Sequence, residues 1–464
     1  LLILRNTVEG ERPAGFVSYR EIGNEDLFGV LKDMELANLV RGKSSREILL
    51  ITGIYAREDG TGDSGVIRDA PQQLLVEVLA KELEKNYSFA LFVAERGTAT
   101  KEVVYVLERQ GFIRPHMADE NDKRTIYMVD MHEPLMFLHN LDTTIKEPFA
   151  SNPAVLDAVE KNHKKLQIAM TKLYPGNLVL SLSSGIMYHR LVDRITALND
   201  VPREPLVPRR LGKNMCVPFG KILRGKVAPN TVTKTLHTDK VYEPDLNSFT
   251  IEPFPYYSPL KSQIETIKSF DRPVILVDDL VHTANRLQVL VPQLREDGIP
   301  IKKVVVGVLS GYGRDLMQCL KVPVESIYSM PNLRQWFVES TLYPFIGGDT
   351  VRREEMKVAG LQPSINMILP YATPRLSGCS REALVEFSAC CIENSRDLFQ
   401  VLEAEYRKMY AKNLTLSRLS EAVILPLCPD KGSCMEYDEN LAASVYLEND
   451  LETLWRMKEF LIKG

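Results

Sequence analysis

The sequence predicts an α/β protein with a mixed-sheet domain, then a parallel-sheet domain with helices on both faces, then a helical C-terminal region. Three observations carry this expectation. Residues 1–133 alternate period-two apolar runs with stretches of helical spacing. Residues 178–182, 274–277 and 304–309 are nearly uninterrupted apolar runs linked by helical stretches, the pattern of parallel strands buried on both faces. Residues 375–464 read as helices. The 464 residues suggest about three domains, and the expected boundaries are 1–133, 134–370 and 371–464.

The elements follow in order. The chain opens Leu1-Leu2-Ile3-Leu4, which reads as a strand met without a lead-in, so a longer protein with an upstream domain is expected. Residues 14–20 alternate apolar and polar, and residues 48–55 form a more buried strand. Leu74, Leu75, Val78, Leu79 and Leu83 then mark one face of a helix over 72–86. Residues 89–93 are a third strand, and a helix over 100–110 ends at Gly111, a suitable C-terminal glycine. Residues 125–129 close this region as a strand. Residues 134–170 are expected to be mostly helical, with an amphipathic connecting helix over 154–173. After the strand 178–182 comes a helix through Leu191 and Ile195. Residues 200–245, rich in Pro, Gly, Lys and Arg, read as long loops or a flexible ribbon. The strand 274–277, a helix over 287–297 and the strand 304–309 complete the second sheet. Long helices are expected over 382–410 and 442–462, packed on the sheet domain or on a second subunit as a homodimer.

Composition excludes several classes. Hydrophobic residues make up 45% and charged residues 25%, as in globular chains rather than disordered ones. With 57 basic and 61 acidic side chains the formal net charge is −4, so no global field favours a nucleic acid. No apolar run approaches the length of a membrane helix, and no secretory leader is visible. Seven cysteines without a spacing framework suggest reduced thiols in a cytoplasm. With neither a CxxC pair nor a closely spaced His pair, no protein-bound metal is expected. There is no Gly-x-Ser-x-Gly elbow, P-loop lysine or His-Glu-x-x-His.

The strongest motif is Val274-Ile275-Leu276-Val277-Asp278-Asp279-Leu280-Val281-His282-Thr283-Ala284-Asn285-Arg286. A buried strand delivers two carboxylates to its C-terminal end, where open parallel sheets bind ligands. The loop beyond it opens a helix, whose unpaired N–H groups suit a phosphate. Carboxylates beside an anion cradle fit a sugar phosphate.

This motif resembles the signature of the type I phosphoribosyltransferases: four apolar residues, two acidic, two apolar, then a phosphate loop. The resemblance covers about residues 175–350. It implies a phosphoribosyltransferase-like parallel-sheet fold and the transfer of a phosphoribosyl group from phosphoribosyl pyrophosphate (PRPP) to an unidentified acceptor, as in nucleotide metabolism. Mg²⁺ would arrive with PRPP, and pyrophosphate would leave. Asp278 and Asp279 would act at the ribose hydroxyls as the catalytic pair, and His282, Thr283, Ala284, Asn285 and Arg286 would hold the 5′-phosphate. His282, Ala284 and Arg286 stand where the family often has Thr, Gly and Thr. Ala284 can present its N–H if its φ is negative. Ser183, Ser184 and Gly185, after the expected first strand of the sheet, would form the pyrophosphate loop. Residues 212–240 would match the mobile loop, with Lys221, Arg224, Lys226 and Lys234 as closing cations and Lys213 and His237 nearby. Trp336, Phe337, Tyr343 and Phe345, before Gly347-Gly348-Asp349, read as core packing or as a surface that stacks on a heterocycle.

The first region is similar to the GNAT acyltransferases in its strand and helix order and in Leu107-Glu108-Arg109-Gln110-Gly111-Phe112. Arg57-Glu58-Asp59-Gly60-Thr61-Gly62 matches that family's pyrophosphate loop in letters, so Arg57, Gly60 and Gly62 would hold acetyl-CoA. About nine residues separate these glycines from the next helix, and Leu107 replaces a general-acid Tyr. The leading expectation is therefore a PRPP-dependent transferase. The alternatives are a non-catalytic PRPP or nucleotide sensor, an acyl-CoA-dependent N-acetyltransferase, and a GNAT-like scaffold in a larger protein.

Overall fold

The computed structural model describes residues 2–6, 12–56, 70–95, 100–116, 124–208, 210–255, 257–353, 358, 360–431 and 436–463. The chain divides into two compact units. One comprises Leu1–Phe137, Gln167–Ser181 and Tyr328–Trp336; the other comprises Leu138–Leu166, Leu182–Ile327 and Phe337–Gly464. The protein is mixed α/β with a helical C-terminal region, as the apolar patterning predicts. Among the described residues no helix is long and apolar enough to cross a membrane.

The first unit contains β1 (Leu2–Asn6), β2 (Arg12–Ile22), α1 (Leu27–Leu31), α2 (Met34–Lys43), β3 (Ile48–Ala56), α3 (Ala70–Glu82), β4 (Phe89–Glu95), α4 (Lys101–Arg109) and most of β5 (Arg124–His139). Its sheet runs β1-β2-β3-β4-β5, with β3 and β4 parallel and the other neighbours antiparallel. The Asp33 side chain accepts the Leu36 N–H and starts α2, which turns Leu36, Ala37 and Val40 inward. Thr100 caps α4 in the same way. Gly111 follows α4 at φ +88°, and a Cβ there would lie 2.1 Å from the Asn177 carbonyl oxygen, so glycine is required twice over. The loop with Arg57, Gly60 and Gly62 lies outside the described residues.

The chain continues with α5 (Pro153–Leu173), β6 (Asn177–Ser183), α6 (Ser184–Leu198), β7 (Met215–Pro218), β8 (Val232–Thr233), β9 (Thr238–Tyr242), β10 (Phe249–Pro253), α7 (Leu260–Lys268), β11 (Val274–Val281), α8 (Asn285–Glu296), β12 (Ile301–Ser310), α9 (Gly311–Cys319) and β13 (Val324–Met330). It ends with β14 (Gln335–Val338), α10 (Glu339–Leu342), β15 (Asp349–Val351), β16 (Gln362–Ile365), α11 (Arg381–Tyr410), β17 (Leu427–Pro429) and α12 (Ala443–Lys463).

The sheet that carries the acidic motif has the order β13-β12-β11-β7-β8, with β11 parallel to both β12 and β7. After β11 the chain moves through α8 to β12 on one side; β7 and β8 lie on the other. The crevice outside the carboxyl ends of β7 and β11 is thus a topological switch point. Met215, Val217, Leu276, Val304, Val306, Leu287 and Leu290 fill the core between this sheet and its helices. A second small sheet, β10-β9-β15-β16-β17, gathers short strands from distant parts of the chain.

Three expectations need correction. Residues 134–139 are not helical but extend β5, because Leu135, Met136, Phe137 and Leu138 are all buried. Residues 200–245 are not only loops: Met215-Cys216-Val217-Pro218 is completely buried and pairs with β11. The run 178–182 belongs to β6, which pairs with β5 in the first sheet and does not open the sheet of β11.

Candidate functional site

The β11 strand runs through the acidic pair, so pleat alternation sends Asp278 and Asp279 to opposite faces. Asp278 is only 8% exposed. One of its oxygens accepts the Asp279 N–H at 2.9 Å and stands 3.8 Å from an Arg286 guanidinium nitrogen. Burial pushes the Asp278 carboxyl up to about 7; Arg286 opposes the rise and the Asp279 charge adds to it.

Asp279 meets the turn that leaves β7. Its two oxygens accept the backbone N–H groups of Lys221 at 2.6 Å and Ile222 at 3.0 Å. This approach depends on Gly220, where a Cβ would lie 2.4 Å from the Asp279 carboxylate and 2.8 Å from its backbone nitrogen. Phe219 donates its N–H to the Val277 carbonyl, so the turn continues the pairing of the two strands.

Of residues 282–286, expected to hold a phosphate, 282–284 lie between β11 and α8, and Asn285 and Arg286 open α8. Ala284 has φ +50° and caps α8 from the left-handed region, so the negative φ on which its N–H was to be presented is not met. The loop turns too sharply into the helix for the ordinary conformation, and alanine there stores strain of about 1 kcal/mol. Asn285 donates its side-chain amide to the Thr283 hydroxyl at 2.8 Å, and the Gln288 amide reaches the Thr283 carbonyl. His282 contacts the Ser310 hydroxyl through Nδ1 at 2.8 Å, and burial lowers its pKa. Arg286, at the start of α8, also faces the Phe219 carbonyl at 3.5 Å and so links the loop to the β7 turn.

Around the carboxylates lies a set of charges that sequence reasoning only half anticipated. Burial lowers the Lys221 pKa, Arg224 adds to the fall, and Asp349 and Asp239 oppose it. Burial raises the Asp349 carboxyl against the pull of Lys240 and Lys221. Asp239 accepts the Thr350 hydroxyl at 2.5 Å, where β9 and β15 run parallel. Arg224 covers the Phe254 ring at 5.2 Å, and His237 stacks on Tyr257 with ring centroids 3.8 Å apart. Burial lowers the His237 pKa, with Arg224 and Lys234 adding. Lys226 is exposed over the Tyr188 ring, and Lys234 is exposed at the end of β8.

The other expected residues fall elsewhere. Ser183 caps α6, and Ser184 donates to Asp142 at 3.2 Å, so Ser183, Ser184 and Gly185 form a helix start. What α6 brings to β12, the neighbour of the motif strand, is Met187, whose sulfur lies 2.1 Å from where a Cβ on Gly307 would be. The turn beside the acidic pair is instead Phe219-Gly220-Lys221. Its only sequence signal was the four-residue apolar run Met215-Cys216-Val217-Pro218, followed by Phe-Gly-Lys. Tyr343 and Phe345 are fully buried, with Phe345 packed on Phe399, Tyr437 and Tyr446, which fits the core reading.

Gly220 lets the backbone of the β7 turn lie against Asp279, Ala284 opens a helix of twelve residues, and Arg286 and Arg224 act on Asp278 while Lys221 and Arg286 act on Asp349.

No protein-family model matches this chain, and no curated protein sequence matches it. Among solved structures, the chain is similar to the crystal structure of a purine phosphoribosyltransferase from Pyrococcus horikoshii Ot3. The likeness covers 33% of this chain and 87% of that one, with 13% identity and a TM-score of 0.22.

Proposed function

We propose that the second unit binds PRPP and transfers its phosphoribosyl group to an acceptor, with release of pyrophosphate. One observation carries the reading. The acidic pair of β11, the Gly220 turn of β7 and the start of α8 converge at the switch point of a parallel sheet. Asp278 and Asp279 accept from the ribose hydroxyls. Thr283 and the N–H groups opening α8 take the 5′-phosphate, with Arg286 supplying charge. Lys221 and Arg224 face the leaving pyrophosphate, whose negative charge grows as the C1–O bond breaks. Mg²⁺, bound with PRPP through its phosphate oxygens, would neutralise part of that charge. The non-catalytic alternative is a PRPP sensor, supported by Ala284 where a mobile phosphate loop favours glycine.

Titration calorimetry of PRPP with Mg²⁺ into the full chain tests the site, with ribose 5-phosphate and acetyl-CoA as parallel ligands. Mg²⁺-dependent micromolar binding that disappears in Asp278→Asn/Asp279→Asn is expected. Unchanged affinity in that folded double variant removes the assignment. Binding without pyrophosphate release across purine, pyrimidine and amine acceptors selects the sensor.

A further inference from the structure

A second cluster lies outside this site, and no sequence spacing announced it. His139 ends β5, His163 lies in α5 and Glu339 begins α10, all within the second unit. Their ligand atoms lie within 4.8 Å of one another, the group with metal-holding composition among the described residues. The two imidazole rings stand 4.2 Å apart and nearly perpendicular, at 88°. His163 Nε2 and a Glu339 carboxylate oxygen are 2.6 Å apart, yet neither has a hydrogen-bond partner of acceptable geometry among the described residues. Glu339 is fully buried. Two buried lone-pair donors facing each other without a proper hydrogen bond leave a place for a cation.

The geometry points to a three-ligand centre for a divalent first-row transition ion, Zn²⁺ foremost, held by His139, His163 and Glu339. Two imidazole nitrogens and one carboxylate form a set that leaves a fourth position open. In tetrahedral coordination, ligand atoms about 2.0–2.1 Å from zinc sit about 3.3 Å from one another. The His163 and Glu339 atoms need to part by less than an ångström to reach that spacing.

The surroundings hold the ligands as outer-shell partners of metal sites do. The Tyr343 hydroxyl donates to the other Glu339 oxygen at 3.2 Å, and the Asn394 amide donates to Tyr343 at 3.0 Å. Asn140 and Ser340, the neighbours of His139 and Glu339, exchange two hydrogen bonds of 2.9 Å. Asn162, the neighbour of His163, exchanges amide-to-carbonyl bonds with Asn394 at 2.8 and 3.1 Å. These four clamp residues are at most 3% exposed. Each ligand is therefore next in sequence to a buried clamp, which fixes its backbone before any ion arrives.

The test uses the full chain, stripped with a chelator and titrated with Zn²⁺ against a competing dye, with Co²⁺ as an optical probe. One Zn²⁺ per chain and visible absorption bands of four-coordinate Co²⁺ are expected. Affinity should fall at least about tenfold in His139→Ala, His163→Ala and Glu339→Gln. It should stay unchanged in Asp278→Asn/Asp279→Asn, which separates this centre from the PRPP reading. Full Zn²⁺ binding in His163→Ala, or its loss in the Asp278/Asp279 variant, overturns the assignment. If the ligand variants do not fold, the wild-type Co²⁺ spectrum decides, and absent visible bands overturn it.

Discussion

Replacing Gly220 by alanine tests the central contact of the candidate site. The new Cβ would lie 2.4 Å from the Asp279 carboxylate and 2.8 Å from the Asp279 backbone nitrogen, against ordinary contacts of 3.4 Å and more. The carboxylate can swing away by the missing ångström. The backbone nitrogen cannot, because it sits inside β11, which pairs on both sides. The turn must therefore retreat and loosen the bonds from the Lys221 and Ile222 N–H groups. Overpacking costs about 1–3 kcal/mol, and each weakened bond to a charged group costs a fraction of its net 1.5–3 kcal/mol. A loss of about 2–4 kcal/mol is expected, read as a lower urea midpoint at unchanged slope. PRPP binding should vanish with it. Gly185→Ala is the control: its Cβ would meet only the Ser183 hydroxyl, at 3.6 Å, and stability should stay within about 0.5 kcal/mol. A Gly220→Ala protein with a wild-type urea midpoint would refute the reasoning.

Two further predictions follow from the same strand and loop. Folded Asp278 keeps its proton to about pH 7, whereas an unfolded aspartate releases it near pH 4. The unfolded state binds fewer protons at this group in that window, so the contribution of Asp278 to stability falls as pH rises from about 4 to 7 and levels off above. Asp278→Asn should flatten this fall and be the more stable protein at pH 8; parallel urea midpoints for the two proteins at pH 5 and pH 8 would contradict it. Ala284→Gly relieves the left-handed strain at the start of α8 and should raise stability by up to about 1 kcal/mol, less the extra chain entropy of glycine. A lower melting temperature for the glycine variant would show that the strain is not where the backbone puts it.

The fold was legible wherever a long pattern left few alternatives. The helix expected over 382–410 is α11, Arg381–Tyr410, and the one over 442–462 is α12, Ala443–Lys463. The apolar run before Asp278 could only be a buried strand. What escaped was short or non-local. The four residues of β7 sit among Pro, Gly, Lys and Arg, and their burial comes from pairing with β11, about sixty positions away. The strands of the small sheet are three to five residues long and carry no period of their own. For the site, the acidic pair was visible because it ends a pattern. Asp239 and Asp349 were not, because only the pairing of β9 with β15 brings them to Lys221. The same holds for His139, His163 and Glu339, which no spacing rule connects.

The two amides that Asp279 accepts have a further consequence. As the turn stands, its N–H groups already hold a carboxylate group supplied by the chain itself. A phosphate that takes those amides must evict the carboxylate, which then needs a new partner. The ribose hydroxyls of the same incoming molecule are suited to be that partner. If the proposed pyrophosphate group reaches this turn, recognition there would be an exchange: a ligand with phosphate but no hydroxyls would leave Asp279 stranded, and one with hydroxyls but no phosphate would leave the amides where they are. On that reading, only a molecule bearing both, at the right separation, would complete the swap.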